Sequence, residues 1–594
     1  MSKSLLLQRR RRWYNRLFKA LIGLSGVSVL LMLAALFIYL FSEVVPLLRP
    51  VTGEPLAPLS LPEQVVTPDV AGNRLGWPVT PALYAISVSG YYQLVASSEG
   101  QACFYTRQQV SGCQQQWWLT ESVDTLTSIS WLSAEQALLA GYKSGRLQQW
   151  FLVPDNSGIV KLQLVRELPA QSSAILHIAP EQNRRGFATL NAAGQLALYY
   201  SAAGRPLWQR ATGLTADETD IKAVEFSADN KLLSVYSANQ QYRFTLDNPH
   251  PEVNWQTLWH SVWYEGFSQP DYVWQTSSAS DDYQPKFSLI PLTIGTLKAA
   301  FYAMLFAAPL AIMAAIYTAC FLPAGPRQRI KALIELMAAF PTVILGFIAA
   351  VWLAPVIESN LLGLLLWVLV LPLSVLALAA VWPRLPSSWQ HRCSGGSEVI
   401  VLMVWLMVVS GIVFFAAQYL DSWLFTDGFR FYLDKLGVYY EQRNALVIGI
   451  AMGFAVVPGI FAIADDVLHQ VPPQLTRGAL ALGATPWQAV IRISLPLAAP
   501  GLIAACLVGF GRAMGETMII LMATGNSPIT NFNLFEGLRS LTATLAIELP
   551  EATVGSSHFR VLFVAALLLL LFTFLANTAA EIVRQRLRKK YQRL

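Results

Sequence analysis

An arginine and a glutamate interrupt an apolar stretch late in this sequence, in the string Gly509-Phe510-Gly511-Arg512-Ala513-Met514-Gly515-Glu516-Thr517-Met518. Ionised side chains are costly inside a bilayer, so a pair of them in such a stretch points first to function. Four residues apart, Arg512 and Glu516 are expected on one helix face, where they can pair, while Gly509, Gly511 and Gly515 let a neighbouring helix pack close. Two readings stand side by side: a salt bridge that locks a helix bundle, or an arginine that exchanges Glu516 for an incoming tetrahedral anion, whose oxygens match the guanidinium fork. Thr517, at the same depth, offers a hydroxyl donor.

A second constellation precedes it. Arg477-Gly478-Ala479-Leu480-Ala481-Leu482-Gly483-Ala484-Thr485-Pro486-Trp487, continuing to Ile493-Ser494-Leu495-Pro496, reads as two helical pieces separated by Gly483 and stopped by Pro496. Glycine permits the sharp turn, and proline cannot continue the hydrogen-bond ladder. Leu480, Leu482, Trp487, Val490 and Ile491 would be exposed apolar groups there, which is costly unless a partner covers them. Elsewhere the chain has no G-x-x-x-x-G-K-[ST] phosphate loop and no nucleophile or metal constellation. No cofactor is expected, and energy for any uphill movement must come from another subunit.

The elements that must carry these residues are membrane helices. The chain has 594 residues, a formal charge of +6, 54% hydrophobic and 13% charged residues, against roughly 25% charged in a soluble domain. Leu17 to Leu48 is apolar and follows Arg9, Arg10, Arg11, Arg12 and Arg16, with Lys19 at its start; it reads as an uncleaved anchor rather than a signal peptide. Further stretches at 288–322, 332–355, 361–382, 399–419, 444–464, 498–523 and 559–583 bring the candidate spans to about eight, each near the roughly 20 residues a crossing needs. An even number puts both termini on one side. The loops then assigned inside hold Arg327, Arg329 and Lys331, then Arg384 and Arg392, then Arg477 and Arg492, and the basic tail at 584–594, so both termini are expected in the cytoplasm of a bacterial inner membrane. Within 361–419 a re-entrant hairpin is the alternative to two spans.

Between 49 and 285 the composition turns soluble. Ile129 to Ser133, Leu176 to Pro180 and Val224 to Ala228 superimpose at a spacing of about 47 residues. Each precedes a turn and an aromatic strand: Gly145 to Trp150, Gly194 to Tyr199, and Asn239 to Phe244, with an upstream copy at Gly100 to Tyr105. This period predicts an inserted, outward-facing all-β domain with propeller-like blades, a β-sandwich being the alternative. It holds no catalytic cluster and reads as a docking or sensing domain. Cys103 and Cys113 are close enough in sequence to pair in an oxidising compartment.

The loop at 476–496 resembles the EAA loop of ABC-importer permeases, whose pattern is E-A-A, three residues, G, nine residues, I-x-L-P. Ala479 matches the second alanine, Gly483 the glycine, and Ile493, Leu495 and Pro496 the close, while Arg477 and Gly478 stand where the pattern has Glu and the first Ala. Gly511 to Met518, with Ala481 to Trp487 ahead of it, closely resembles the PstC-type permeases of phosphate ABC importers. Pro291 to Leu297, Glu335 to Phe347 and Gln442 to Leu446 add to the match. The domain at 51–285 and the pair at 361–419 resemble a long variant of that family.

The resemblance implies a type I ABC importer permease fold: a first helix at 1–48, the β domain at 49–285 and a permease domain at 286–583. It implies a subunit with no ATPase of its own, carrying inorganic phosphate. The implied partners are a second PstA-like permease, a cytoplasmic ABC ATPase dimer, a periplasmic phosphate-binding protein and membrane lipids, with no nucleic acid. Ala479, Gly483, Ala484, Trp487, Ile493, Leu495 and Pro496 would form the ATPase-coupling loop, and Arg512, Glu516 and Thr517 the substrate pathway. Another oxyanion or a phosphonate as cargo, or a membrane-anchored sensor, are the alternatives.

Overall fold

The computed structural model describes residues 3–60, 83–87, 89–106, 113, 115–119, 124–154, 160–212, 221–237, 240–278, 283–384, 398–425 and 427–591. Arg392, Asn239 and Arg593 lie outside the described residues. Two compact units divide the chain: Met1–Ile290 with Ala552–Val564, and Pro291–Glu551 with Ala565–Leu594.

The first unit begins with α1 (Lys3–Val44), whose apolar side chains are exposed from Trp13 to Tyr39. Four four-stranded antiparallel sheets follow. The first holds β2 (Leu83–Ile86), β3 (Tyr92–Ala96), β4 (Gln101–Thr106) and β5 (Gln115–Trp118). The second holds β6 (Leu126–Trp131), β7 (Ala137–Tyr142), β8 (Leu147–Pro154) and β9 (Val160–Leu168). The third holds β10 (Ile175–Pro180), β11 (Gly186–Asn191), β12 (Gln195–Tyr200) and β13 (Trp208–Ala211). In the fourth, β14 (Ile221–Phe226), β15 (Leu232–Ser237) and β16 (Gln240–Asp247) receive β1 (Thr52–Ser60) as outer strand. The superimposable segments therefore fall on equivalent strands: β6, β10 and β14 open their sheets, and β4, β8, β12 and β16 are the third strands.

Each sheet buries one face against the next. Phe104, Trp131 and Leu138 share one apolar layer, Leu147, Phe187 and Tyr199 a second, and Leu198, Phe226 and Phe244 a third. Ser128 Oγ crosses between sheets to donate to Ile175 O at 2.9 Å. These are four separate sheets in series, whereas a sandwich has two facing ones. Cys103 and Cys113 are joined in a disulfide. A short helix α2 (Trp255–Trp259) follows, capped by Asn254. The same unit holds a buried ion pair of Arg185 Nε with Glu265 Oε2 at 3.0 Å.

The second unit is helical: α3 (Ile290–Cys320), α4 (Ala324–Met337), α5 (Thr342–Ile348), α6 (Ala354–Ser359), α7 (Leu361–Val381), α8 (Glu398–Leu424), α9 (Phe429–Lys435) and α10 (Ala445–His469). Then come α11 (Pro473–Ala481), α12 (Pro486–Ala489), α13 (Leu495–Met514), α14 (Met518–Ala523), α15 (Leu541–Glu548) and α16 (Ser557–Tyr591). Among the described residues, eight helices are long and apolar enough to cross a membrane. The core is built on small residues: Ala299, Ala303, Ala307 and Ala311 of α3 lie buried with Val447, Ile448 and Met452 of α10, which lets the helix backbones approach closely.

Two boundaries differ from expectation, at 332–355 and at Pro496, while the two spans expected within 361–419 are present. The crossing helix expected at 332–355 runs from Thr342 to Ser359, because α4 is a separate helix and Pro341 restarts the chain after it. The stretch at 361–419 is two full helices: Trp367 Nε1 of α7 donates to Ser410 Oγ of α8 at 2.8 Å, and Pro372 lies inside α7 without ending it. Pro496, expected to stop a helix, sits in the first turn of α13. A π-helical turn at Val490–Ser494 joins α12 to α13, so the helix is continuous from Pro486 to Met514. That wider turn shifts the hydrogen-bond register just before a residue with no N–H to contribute.

Candidate functional site

Helix α13 ends at Met514, with Gly515 as its cap. Gly515 N–H donates to Arg512 O and Glu516 N–H to Ala513 O, both at 3.2 Å, which tightens the last turn. Thr517 then turns the chain into α14. Glu516 and Thr517 thus lie in a break between two helices. The expectation that Arg512 and Glu516 share one helix face is corrected: the i,i+4 relation needs a helix that continues through both, whereas this one ends at Met514, and among the described residues no ion pair joins them. Instead, Glu516 O accepts from Thr542 Oγ1 of α15 at 2.9 Å, and Thr517 Oγ1 lies 3.5 Å from Gly515 O.

Arg512 is exposed on the surface of this unit and, among the described residues, forms no hydrogen bond or ion pair. It occupies the last turn of α13, where the negative end of the helix dipole favours a cation. Its guanidinium stands against Gly459 of α10, where an added Cβ would come within 3.3 Å of Nη1. Two of the three expected small-residue contacts are present. A Cβ at Gly509 would meet Ile460 of α10 at 2.6 Å, and one at Gly511 would meet Asn577 of α16 at 3.2 Å. Gly515 faces no neighbouring helix at this range.

The break is backed by a network that the sequence did not disclose. Lys298, fully buried in α3, reaches Gly537 O at 3.3 Å and Glu536 O at 3.5 Å. Glu536 accepts from Asn533 Nδ2 at 2.8 Å, and Glu441 Oε2 accepts from Gly537 N–H at 2.8 Å. The segment between α14 and α15 is thereby folded back onto α3, and Thr542 sits where it can hold Glu516. A buried lysine in an apolar helix was the available signal.

The loop before α13 has two helix pieces, as its sequence indicates. α11 ends in a Schellman motif: Gly483 N–H donates to Leu480 O at 3.0 Å and Ala484 N–H to Ala479 O at 3.1 Å. Gly483 has φ +87°, a left-handed conformation that side chains resist. Thr485 and Gln488 then form a capping box that opens α12. Leu482 is 91% exposed and Trp487 59%, while Leu480 and Ile491 are also exposed. Val490, expected in that apolar surface, is buried instead because the π turn rotates it inward. Ala479, Ile493 and Leu495 are half-buried and Pro496 is exposed.

At the end of α10 lies a charged cluster also unread in the sequence. Asp465 Oδ1 accepts from Thr318 Oγ1 at 3.1 Å, and its Oδ2 from Arg327 Nη2 at 2.9 Å. Lys331 Nζ lies 3.5 Å from Asp465 Oδ2 and 2.9 Å from Asp466 Oδ1. Those two aspartates hold the Lys331 ammonium above its ordinary pKa, through the Asp466 hydrogen bond first.

Among the described residues, this unit thus combines long apolar helices, an exposed cation at a helix break and a loop with an apolar surface. Residues 307–589, just under half of the chain, match the family described as binding-protein-dependent transport system inner membrane component. Over that stretch the chain is similar to inner membrane components of such transport systems. The chain is 26% identical over 298 residues to the phosphate transport system permease protein PstC 1 of Mycobacterium bovis, covering 50% of this chain and 71% of that one. To PstC of Haemophilus influenzae it is 27% identical over 293 residues, 49% of this chain and 74% of that one. To PstA 1 of Mycobacterium tuberculosis it is 29% identical over 157 residues, 26% of this chain and 49% of that one. The resemblance to PstC-type permeases is borne out over the membrane half.

Proposed function

We propose that this chain is the transmembrane permease subunit of an ABC importer for inorganic phosphate, with no ATPase activity of its own. The observation that carries the reading is the unpaired, exposed guanidinium of Arg512 beside a helix break. A cation at the end of an apolar helix is costly against lipid. The face that bears it is therefore covered by a second, PstA-like permease, and Arg512 lines the path between the two. There the guanidinium fork receives a tetrahedral anion in transit, with the Thr517 hydroxyl beside the break as a further donor. The names of the relatives support phosphate as that anion.

The exposed Leu480, Leu482, Trp487 and Ile491 support the loop at 476–496 as the seat of a cytoplasmic ATPase dimer, since such a surface is costly uncovered. The basic loops support both termini in the cytoplasm, which leaves the β domain at 49–285 in the periplasm of a bacterial inner membrane. A periplasmic phosphate-binding protein would deliver the cargo there. Reconstitution with the second permease, the ATPase and the binding protein tests the cargo directly. Phosphate should stimulate ATP hydrolysis and enter the vesicles, whereas stronger stimulation by sulfate or a phosphonate would assign another anion.

A further inference from the structure

Two carboxylates at the end of α10 oppose its dipole, because the last turns of a helix favour cations. Asp465 is also fully buried, and a buried carboxylate persists only when paired and hydrogen-bonded. The structure meets that demand from two other helices: Thr318 near the end of α3, and Arg327 with Lys331 on α4. Arg327 Nη1 also donates to His469 Nδ1 at 2.7 Å, reaching the last residue of α10. An apolar contact would hold these helices together at less cost. What the charges add is a directional fastening of the entry to α11, which begins at Pro473.

From this joint a short mechanical route leads to the break. α4 continues through Pro341 into α5, whose Gly346 lies directly on α14: a Cβ there would come within 2.9 Å of Met518 O and 3.0 Å of Ile519 Cα. With no side chain between the backbones, α5 and α14 move together. α14 begins immediately after Thr517.

We propose that Asp465, with Thr318, Arg327 and Lys331, is the joint that passes displacement of the coupling loop through α4 and α5 to the break beside Arg512. These are positioning residues, and the proposal rests on the loop being the ATPase seat. The test uses the complete complex in proteoliposomes, with inorganic phosphate as the probe and phosphate imported per ATP hydrolysed as the readout. Asp465→Asn and Lys331→Gln should each lower that ratio about fivefold, with the ATPase still copurifying. Arg327→Lys, which keeps a cation, should retain most of the ratio. Asp465→Asn combined with Arg327→Gln should be no worse than Asp465→Asn alone, since both act on one joint.

A wild-type ratio in Asp465→Asn and Lys331→Gln would overturn the proposal, as would a fall explained wholly by loss of bound ATPase. Should Asp465→Asn fail to assemble, Lys331→Gln decides alone, because that side chain is partly exposed and its removal leaves Asp465 paired with Arg327. Failure of the importer reading itself would look different: no ATP-dependent uptake in the wild-type complex.

Discussion

Arg512 was legible in the sequence because a guanidinium in an apolar stretch has few structural reasons to be there. Its relation to Glu516 was not legible, since nothing in Ala513-Met514-Gly515-Glu516 announces a helix end; Gly515 only permits one. The hydroxyl that stabilises the break comes from Thr542, 26 residues further along. Glu516→Gln should therefore leave assembly unchanged, as judged by copurification of the second permease; lost assembly would show that Glu516 neutralises a buried cation after all. Arg512→Lys keeps the charge but not the fork, and phosphate uptake should fall about tenfold rather than vanish. In the β domain, Glu181 is another residue out of balance. Its Oε2 has no partner among the described residues, and burial pushes its carboxyl up to about 7, Glu252 adding to the rise and Arg184 opposing it. A carboxyl raised on folding binds more protons in the native state, so stability falls as pH climbs from the ordinary glutamate value of 4.5 through about 7. Glu181→Gln should raise the Tm of the full chain, with little difference near pH 4.5 and on the order of 5 °C at about pH 8. A pH-independent difference would contradict this account of Glu181.

Among the elements, the β strands were the most legible. Their alternating apolar pattern repeats at one period, and equivalent segments became equivalent strands, because each sheet must bury its face against the next. The closing strand β1 was not foreseen: it pairs with β16, across a separation of 191 residues between Glu54 and Thr245. The loop at 476–496 was legible at Gly483 and misread at Pro496, since a π turn before a proline leaves no simple residue signature. The charged joint was invisible for another reason. Arg327 and Asp465 are 138 residues apart, and only the fold brings them together. Gly483→Pro tests the loop as an element: it removes the N–H bonded to Leu480 O and demands a φ near −65° where the chain has +87°. The cost of about 3 kcal/mol falls on the loop alone. The variant should reach the membrane yet bind the ATPase poorly and import no phosphate, whereas normal copurification and uptake would remove the turn from the mechanism.

For the whole molecule, span number and loop charge together carry the proposed sidedness. A reporter active only in the periplasm should be active when fused after Asn230 and silent after Gln488; the opposite pair of results would invert the topology. The proposed function converges on one residue, Arg512, as the exposed cation that would receive the anion. The direct measurement is phosphate uptake by the reconstituted complex carrying Arg512→Met, which removes the charge while keeping a long side chain at the end of α13. The account predicts a complex that assembles, binds its ATPase and hydrolyses ATP at its basal rate but imports no phosphate. Uptake at the wild-type rate would show that the anion passes without meeting Arg512.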